Sequence, residues 1–510
     1  MRMSLTWKRT VQILCLIVVL GAGTRLYQLG NNSFVADEFL DMNSSYGYFQ
    51  TGKWQAWDFN YGKPAEMNLN DARDERAILY KVQVAALFHV LAPTEGSARL
   101  VSVFWGVFSI LVLYWAGYFY TRKRTVGLIA AFLFAVSISG IILDRRLRMY
   151  AMFFPVFLLF ATALFATFER VYTGKGKILL GFAKRFGLHP VALAVSIVLG
   201  VCSLLTHSLS VNIVPIFGSY LVLSAYGVWR KTDTLRQKYA ITVGGAMLFL
   251  VITLIFFPES ARVFTKEITW FDNHYSYFGY FFRDYSQPLL AILLAIFGVK
   301  TLWKDLKRPQ EALFLSLATL VPLALAVWFW KRNVGAQYIF FAQSFLMLLV
   351  ACGVYGVLRV VREHLGVFGA RRVVVTLLFA LLLIPHYGYF LEENNTYHET
   401  STGGNPNYRK VFDYFKKNKG PEDVLLTRNF RNYYWSGAKV KVYDFGGELS
   451  QAKLSLAEVQ TMVAEHPHGW AILSTNDYDY ISHDAELYFK KNMEQVSNAQ
   501  VRGAIEVYRW

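Results

Sequence analysis

Apolar residues fall in blocks of roughly 17 to 25 along this 510-residue chain, separated by short polar or basic turns. A helix of that length rises about 1.5 Å per residue and crosses about 30 Å of hydrocarbon, so the pattern predicts membrane spans. About eleven are expected, at about 10–26, 98–120, 126–143, 150–168, 190–206, 208–228, 240–257, 288–303, 312–330, 337–358 and 373–390. The first has a basic flank and a Gly21-Ala22-Gly23 end, as a cleavable signal peptide would. Its apolar block runs on through Leu26 and Leu29, which favours a retained anchor.

Two stretches depart from this pattern. A long first loop, about 27–97, is rich in Asp and Glu, and beyond residue 390 the apolar blocks end. In the tail, Val411, Phe412, Tyr414 and Phe415 recur at helical spacing before the break at Gly420-Pro421. Strands are predicted at Val424–Thr427, Ala438–Tyr443, Trp470–Ser474 and Ala504–Tyr508. The expected fold class is a polytopic α-helical membrane protein. Residues 1–390 would form the transmembrane catalytic domain, with helices in an outward loop at 27–97, and 391–510 a soluble outward-facing α/β domain.

Composition agrees with a membrane protein: 55% of the residues are apolar and 17% are charged. The net charge of +17 would suit a nucleic-acid partner, but the basic residues sit in short clusters between apolar blocks. Lys8-Arg9, Arg122-Lys123-Arg124, Arg170 to Arg185, Arg230-Lys231, Lys304 to Arg308 and Arg359 to Arg372 form one alternate set of connections. The positive-inside rule makes that set cytoplasmic, which gives orientation and argues against DNA. Cys15, Cys202 and Cys352 lie inside apolar blocks, without disulfide or metal spacing.

The outward connections carry the candidate chemistry. Asp37, Glu38 and Asp41 follow the first span closely, and Asp71, Asp74 and Glu75 form a second acidic group in the same loop. One carboxylate could serve as a general base while others bind a metal or the acceptor, although an outward loop is also simply acidic because bases are retained inside. Between the third and fourth spans, Asp144-Arg145-Arg146-Leu147-Arg148-Met149-Tyr150 places three arginines outside, against the positive-inside pattern. Phosphate is the natural partner for their planar forks, and ion pairing with the acidic loop is a compatible alternative. His207, in the outer turn Thr206-His207-Ser208, could bind a metal with a first-loop carboxylate, hydrogen-bond a phosphate, or sit at the interface as an ordinary histidine. His274 lies in an aromatic loop, 270–285, suited to stacking sugar rings or a lipid chain and equally to a membrane interface.

The order of these elements carries more than any one of them. Asp37-Glu38 comes after the first span, and Leu79-Tyr80 opens a helical stretch that runs to Val90-Leu91. Ser97-Ala98-Arg99-Leu100-Val101-Ser102 then enters the second span, and Arg148-Met149-Tyr150 follows a short basic turn. This series, over about residues 30–170, resembles the polytopic GT-C glycosyltransferases. It is similar to the branch related to protein mannosyltransferases and to the transferases that modify lipid A with aminoarabinose. The likeness extends more weakly through Thr206-His207 and Gln337-Tyr338 to the tail.

The resemblance implies an inverting transfer of sugar from a polyprenyl-phosphate carrier to a protein, lipid or cell-envelope glycan at the outer face. It maps the general base onto Asp37, with Glu38 as the adjacent acid, and the carrier phosphate onto Arg148 and Tyr150 with Arg145 as a neighbour. Asp74, Glu75, His207 and His274 remain candidates for substrate or a divalent metal. Three positions depart from the family pattern: Arg146 stands where relatives commonly carry an acid, Asp74-Glu75-Arg76 replaces a His-Pro-Pro-like entry, and Gln337-Tyr338 replaces Arg-Tyr. A flippase of lipid-linked sugars is the alternative, although it would more often show repeats and broken helices. The expected location is the plasma membrane of a bacterium or archaeon, with the site and the tail outside.

Overall fold

The computed structural model describes residues 6–35, 37–65, 76–229, 273–330, 334–364, 381–398, 405–445, 453–496 and 505–510, with isolated positions at 244, 251, 378 and 400. They gather into two compact units. The first comprises residues 1–26, 102–144 and 149–389, and the second comprises 27–101, 145–148 and 390–510.

The first unit is helical and carries the apolar blocks. Across the described residues six helices are long and apolar enough to cross a membrane: Trp7–Leu26, Glu95–Thr121, Tyr150–Glu169, Ser208–Ala225, Pro309–Trp328 and Ala336–Val361. These match expected spans, and with their composition they make the chain an integral membrane protein. The expected span at 240–257 lies outside the described residues except at 244 and 251, and that at 373–390 is described at 378 and from 381 onward, where it ends in the 3-10 turn Tyr387–Leu391. The span expected at 288–303 is a 13-residue helix, Pro288–Lys300, continued by a π-helical turn at Thr301–Asp305. Two further helix pairs are bent: Arg124–Ala135 with Ile138–Asp144 at 59°, and Lys177–Phe186 with Pro190–Thr206 at 84°.

The 59° break has a cause outside its own sequence, since Val136-Ser137 contains neither proline nor glycine. Arg25 donates from its two terminal nitrogens to the carbonyls of Ala135 and Phe134, at 3.2 Å each, and its Nε lies 2.7 Å from Asp144. On the other side of the break, Asp284 accepts from Ser137 Oγ and from the Ser139 N–H, both at 2.8 Å. A cation therefore meets the carbonyl end of one helix and an anion the amide end of the next, the arrangement the helix dipole favours. Backbone groups freed at membrane depth need such partners. A Cβ at residue 106 would lie 2.2 Å from Asp144 Oδ2, so Gly106 makes room for this buried carboxylate.

The second unit combines the first loop with the tail. The helix Asp37–Thr51 packs beside the helix Ile78–Leu87 and a short hairpin of β1 (Trp57–Asp58) and β2 (Lys63–Pro64). Gly47 allows this approach, because a Cβ there would lie 1.9 Å from the Gln55 carbonyl oxygen. In the tail, β3 (Val424–Leu426), β4 (Val442–Tyr443), β5 (Gly469–Ser474), β6 (Glu494–Gln495) and β7 (Ile505–Arg509) form one sheet in the order β4-β3-β5-β7-β6. β3 runs parallel to β4 and β5, and β7 runs antiparallel to β5 and β6. Strands thus form where the apolar runs of the tail predict them, with β6 as a two-residue polar addition. Asn60 ties the hairpin to the tail, donating to the Val440 carbonyl at 2.8 Å and accepting the Val440 N–H at 3.1 Å.

Candidate active site

The helix Asp37–Thr51 opens on two adjacent acids, and successive helical residues point about 100° apart. Glu38 turns inward and is 1% exposed. Its Oε1 accepts from Arg99 Nε at 2.8 Å and the Leu147 N–H at 2.7 Å. Its Oε2 accepts from Arg99 Nη2 at 2.9 Å and the Val35 N–H at 3.1 Å. The bond to Val35 ties the carboxylate to the chain just before the helix. Arg99 also donates to the carbonyls of Leu29, Asn32 and Ser33, so all five of its N–H groups are used. Burial pushes the Glu38 carboxyl up, but the Arg99 guanidinium and the Leu147 N–H outweigh it and hold the group below the ordinary carboxylate range.

Asp37 turns outward, and its side chain is 45% exposed. Its Oδ2 lies 2.9 Å from Arg148 Nη2, while Arg148 Nη1 bonds Asp41 Oδ2 at 2.7 Å. Lys81, buried in an apolar helix, reaches Asp41 Oδ1 at 3.6 Å. Arg148 thus makes the ion pairs with the acidic loop that stood as the alternative to phosphate. Arg145 donates to the Tyr27 carbonyl at 2.5 Å and lies over the Tyr397 ring at 4.7 Å. Arg146 is the least buried of the three arginines and adds positive potential at Glu38.

Charge decides what this cluster can hold. Three carboxylates, Asp37, Glu38 and Asp41, stand with five cations, Lys81, Arg99, Arg145, Arg146 and Arg148, a difference of +2 among the described residues. Each carboxylate already faces a guanidinium or ammonium, a donor set that does not fit a divalent cation. No three His, Cys, Asp or Glu side chains converge on a metal position among the described residues. A net positive rim beside a half-open carboxylate suits an anionic group such as phosphate.

The remaining candidates separate. Asp74 and Glu75, like Asp71, lie outside the described residues. His207, His274 and Tyr150 belong to the membrane unit. There the Tyr150 ring stacks obliquely on His207 at 5.1 Å and edge-on to Tyr338 at 6.3 Å. His207 Nδ1 accepts the Leu209 N–H at 2.9 Å, which puts the ring proton of the neutral form on Nε2 and leaves a donor rather than a metal-binding lone pair. His274 packs edge-on to Tyr277 at 6.3 Å. A small cleft, with room for little more than a water molecule, opens in the same unit among Asn212, Tyr277, Trp330, Tyr338 and Phe341.

Lys81, Arg99 and Glu95 are the residues that sequence reasoning assigned no role at the site. Glu95 accepts from Arg409 at 2.7 Å and from the Tyr434 hydroxyl at 3.0 Å, and the same hydroxyl accepts the Phe34 N–H at 2.7 Å. A charged residue at the entrance of an apolar block was the available signal for Arg99, and a lone lysine within an apolar helix was the signal for Lys81.

No family model matches the chain, and no curated protein matches it by sequence. Solved structures do match. An oligosaccharyltransferase of Archaeoglobus fulgidus in its apo form superposes with a TM-score of 0.62 at 12% identity, over 96% of this chain and 73% of that one. The archaeal oligosaccharyltransferase AglB, from the same organism and in complex with an inhibitory peptide and a dolichol-phosphate, gives 0.60 at 11% identity, over 96% and 73%. ArnT from Cupriavidus metallidurans bound to undecaprenyl phosphate gives 0.50 at 13% identity, over 98% and 97%. The chain has the GT-C fold. That agrees with the resemblance seen in the order of its motifs, and at these identities the likeness is one of fold.

Proposed function

We propose that this protein is an inverting glycosyltransferase that moves a sugar from a polyprenyl-phosphate carrier to an acceptor hydroxyl at the outer face of the membrane. Its own site would lie in the unit of residues 27–101, 145–148 and 390–510, with the helical unit as a membrane domain and the tail completing the outward part. The observation that carries the reading is the outward turn of Asp37 at a helix N-terminus, half-open and bonded on one side to Arg148. The solved structures with dolichol-phosphate and undecaprenyl phosphate share the fold and support the choice of carrier.

In this reading Asp37 takes the proton of the acceptor hydroxyl as its oxygen attacks the anomeric carbon. The new C–O bond forms as the bond from that carbon to the carrier phosphate breaks, from the opposite side, which inverts the centre. Negative charge grows on the departing phosphate, where Arg145, Arg146 and Arg148 supply fixed cations. Glu38 has no open lone pair for such work; it fixes Arg99, the start of the helix and the Leu147 amide. Its part is to hold Asp37 and Arg148 in register.

The experiment is transfer by the full-length protein in lipid, supplied with polyprenyl-phosphate sugars, compared with Asp37→Asn and Arg148→Ala. Undiminished transfer by Asp37→Asn removes the proposed base. A flippase is the second reading, and the broken span at residues 136–137 is the feature that favours it. Recovery of the sugar chemically unchanged on the opposite leaflet would establish that reading, whereas a new glycosidic bond establishes transfer.

A further inference from the structure

The helix Lys177–Phe186 has no assigned role, and none of its residues is buried. At about 100° per residue, Lys177, Lys184 and Arg185 share one face with Gly181, while Ile178, Leu179, Leu180, Phe182, Ala183 and Phe186 cover the rest. Ile178 is 88% exposed, which water alone does not favour. Between Arg170 and Pro190 there are four basic residues and no acid.

Its direction decides what covers it. Gly187 ends the helix at φ 66°, His189 caps the next helix through the Ala192 N–H, and the span Pro190–Thr206 departs at 84°. Spans run within about 20° of the bilayer normal on average, so a helix at nearly a right angle to one lies close to the membrane plane. The basic clusters place this connection on the cytoplasmic side. A short helix in that plane, with a wide apolar arc and a basic arc, buries the first among acyl chains and presents the second to headgroups.

We infer that Lys177–Phe186 is an in-plane anchor that grips anionic phospholipid headgroups of the cytoplasmic leaflet through Lys175, Lys177, Lys184 and Arg185. Ile178, Phe182 and Phe186 enter the acyl boundary. The inference is independent of the transfer reaction.

The test uses the full-length chain in nanodiscs of phosphatidylcholine alone or with about 30% phosphatidylglycerol. Amide exchange over residues 177–186 should slow by about tenfold in the anionic discs, given the pull on several charges at once. The variant Lys177→Gln/Lys184→Gln/Arg185→Gln should lose that difference while exchange in the spans stays as in the parent. A benzophenone amino acid at position 178 should crosslink to phospholipid in native membranes. Equal exchange in the two discs overturns the inference, as does an adduct whose mass is that of a protein.

Discussion

Arg25–Asp144 in the membrane unit and Arg148–Asp37 in the other unit are both arginine–carboxylate pairs, closed at 2.7 and 2.9 Å. The first is wholly buried on both sides, and its arginine also serves the carbonyls at the break in a span. The second leaves its carboxylate 45% exposed. Distance therefore does not distinguish the two pairs; access to solvent does. Glu38 makes the point within one residue of Asp37, since all its acceptor positions are filled by Arg99, Val35 and Leu147.

The largest expected effect is on activity. Asp37→Asn should lower transfer by about 10²–10⁴-fold, the usual contribution of a general base, with little change in thermal stability. Comparable loss of both would place Asp37 with the structural pairs. Glu38→Gln should instead cost about 3–5 kcal/mol of stability by leaving Arg99 buried and uncompensated, read as a lowered melting temperature in lipid.

Replacing both members of the closed pair sharpens the contrast. Arg25→Met alone should destabilise by about 3 kcal/mol, whereas Arg25→Met with Asp144→Leu should recover much of that, because apolar groups of similar volume often replace a buried pair without loss. The corresponding double change at Arg148 and Asp37 should abolish transfer and recover less stability, because it leaves buried Asp41 with Lys81 alone. A smaller effect is expected at Gly106→Ala, about 1–3 kcal/mol, from the contact its Cβ would force on Asp144.

The smallest effect is a pH dependence. The folded Glu38 carboxyl is held below its ordinary 4.5, so its contribution is fully present above that value and lost as pH falls through the folded value. Melting temperature against pH should therefore fall more steeply on the acid side in the parent than in Glu38→Gln.

Much of this architecture was legible in the chain, for reasons that can be named. Span length follows from bilayer thickness, so the blocks at 98–120, 150–168, 312–330 and 337–358 coincide with helices. β3 and β5 are buried apolar runs and announce themselves, β7 carries buried Ile505, Val507 and Tyr508 around Glu506, and Glu494–Gln495 is a two-residue polar edge with no such signal. The break at 136–137 is silent locally because its causes, Arg25 and Asp284, lie more than 100 residues away. At the site, Asp37, Glu38 and Arg148 were readable as types and in order. Which of the two acids is buried was not, since it depends on which side of the helix faces Arg99. Lys81 and the link from Glu95 to Arg409 and Tyr434 arise from pairings that only the folded chain reveals.

The unit that holds the acids is assembled from segments far apart in the chain. Phe34 and Phe39, 0% exposed, lie against Tyr433, Tyr434 and Tyr408, and Glu95 awaits Arg409. Those partners come 314 to 400 residues later in the chain, after the spans between them. A nascent chain therefore displays an unpartnered apolar face on its first loop until the tail is made, and removal of the tail should leave Phe34 and Phe39 uncovered. The later segment is in this sense the one that commissions the earlier.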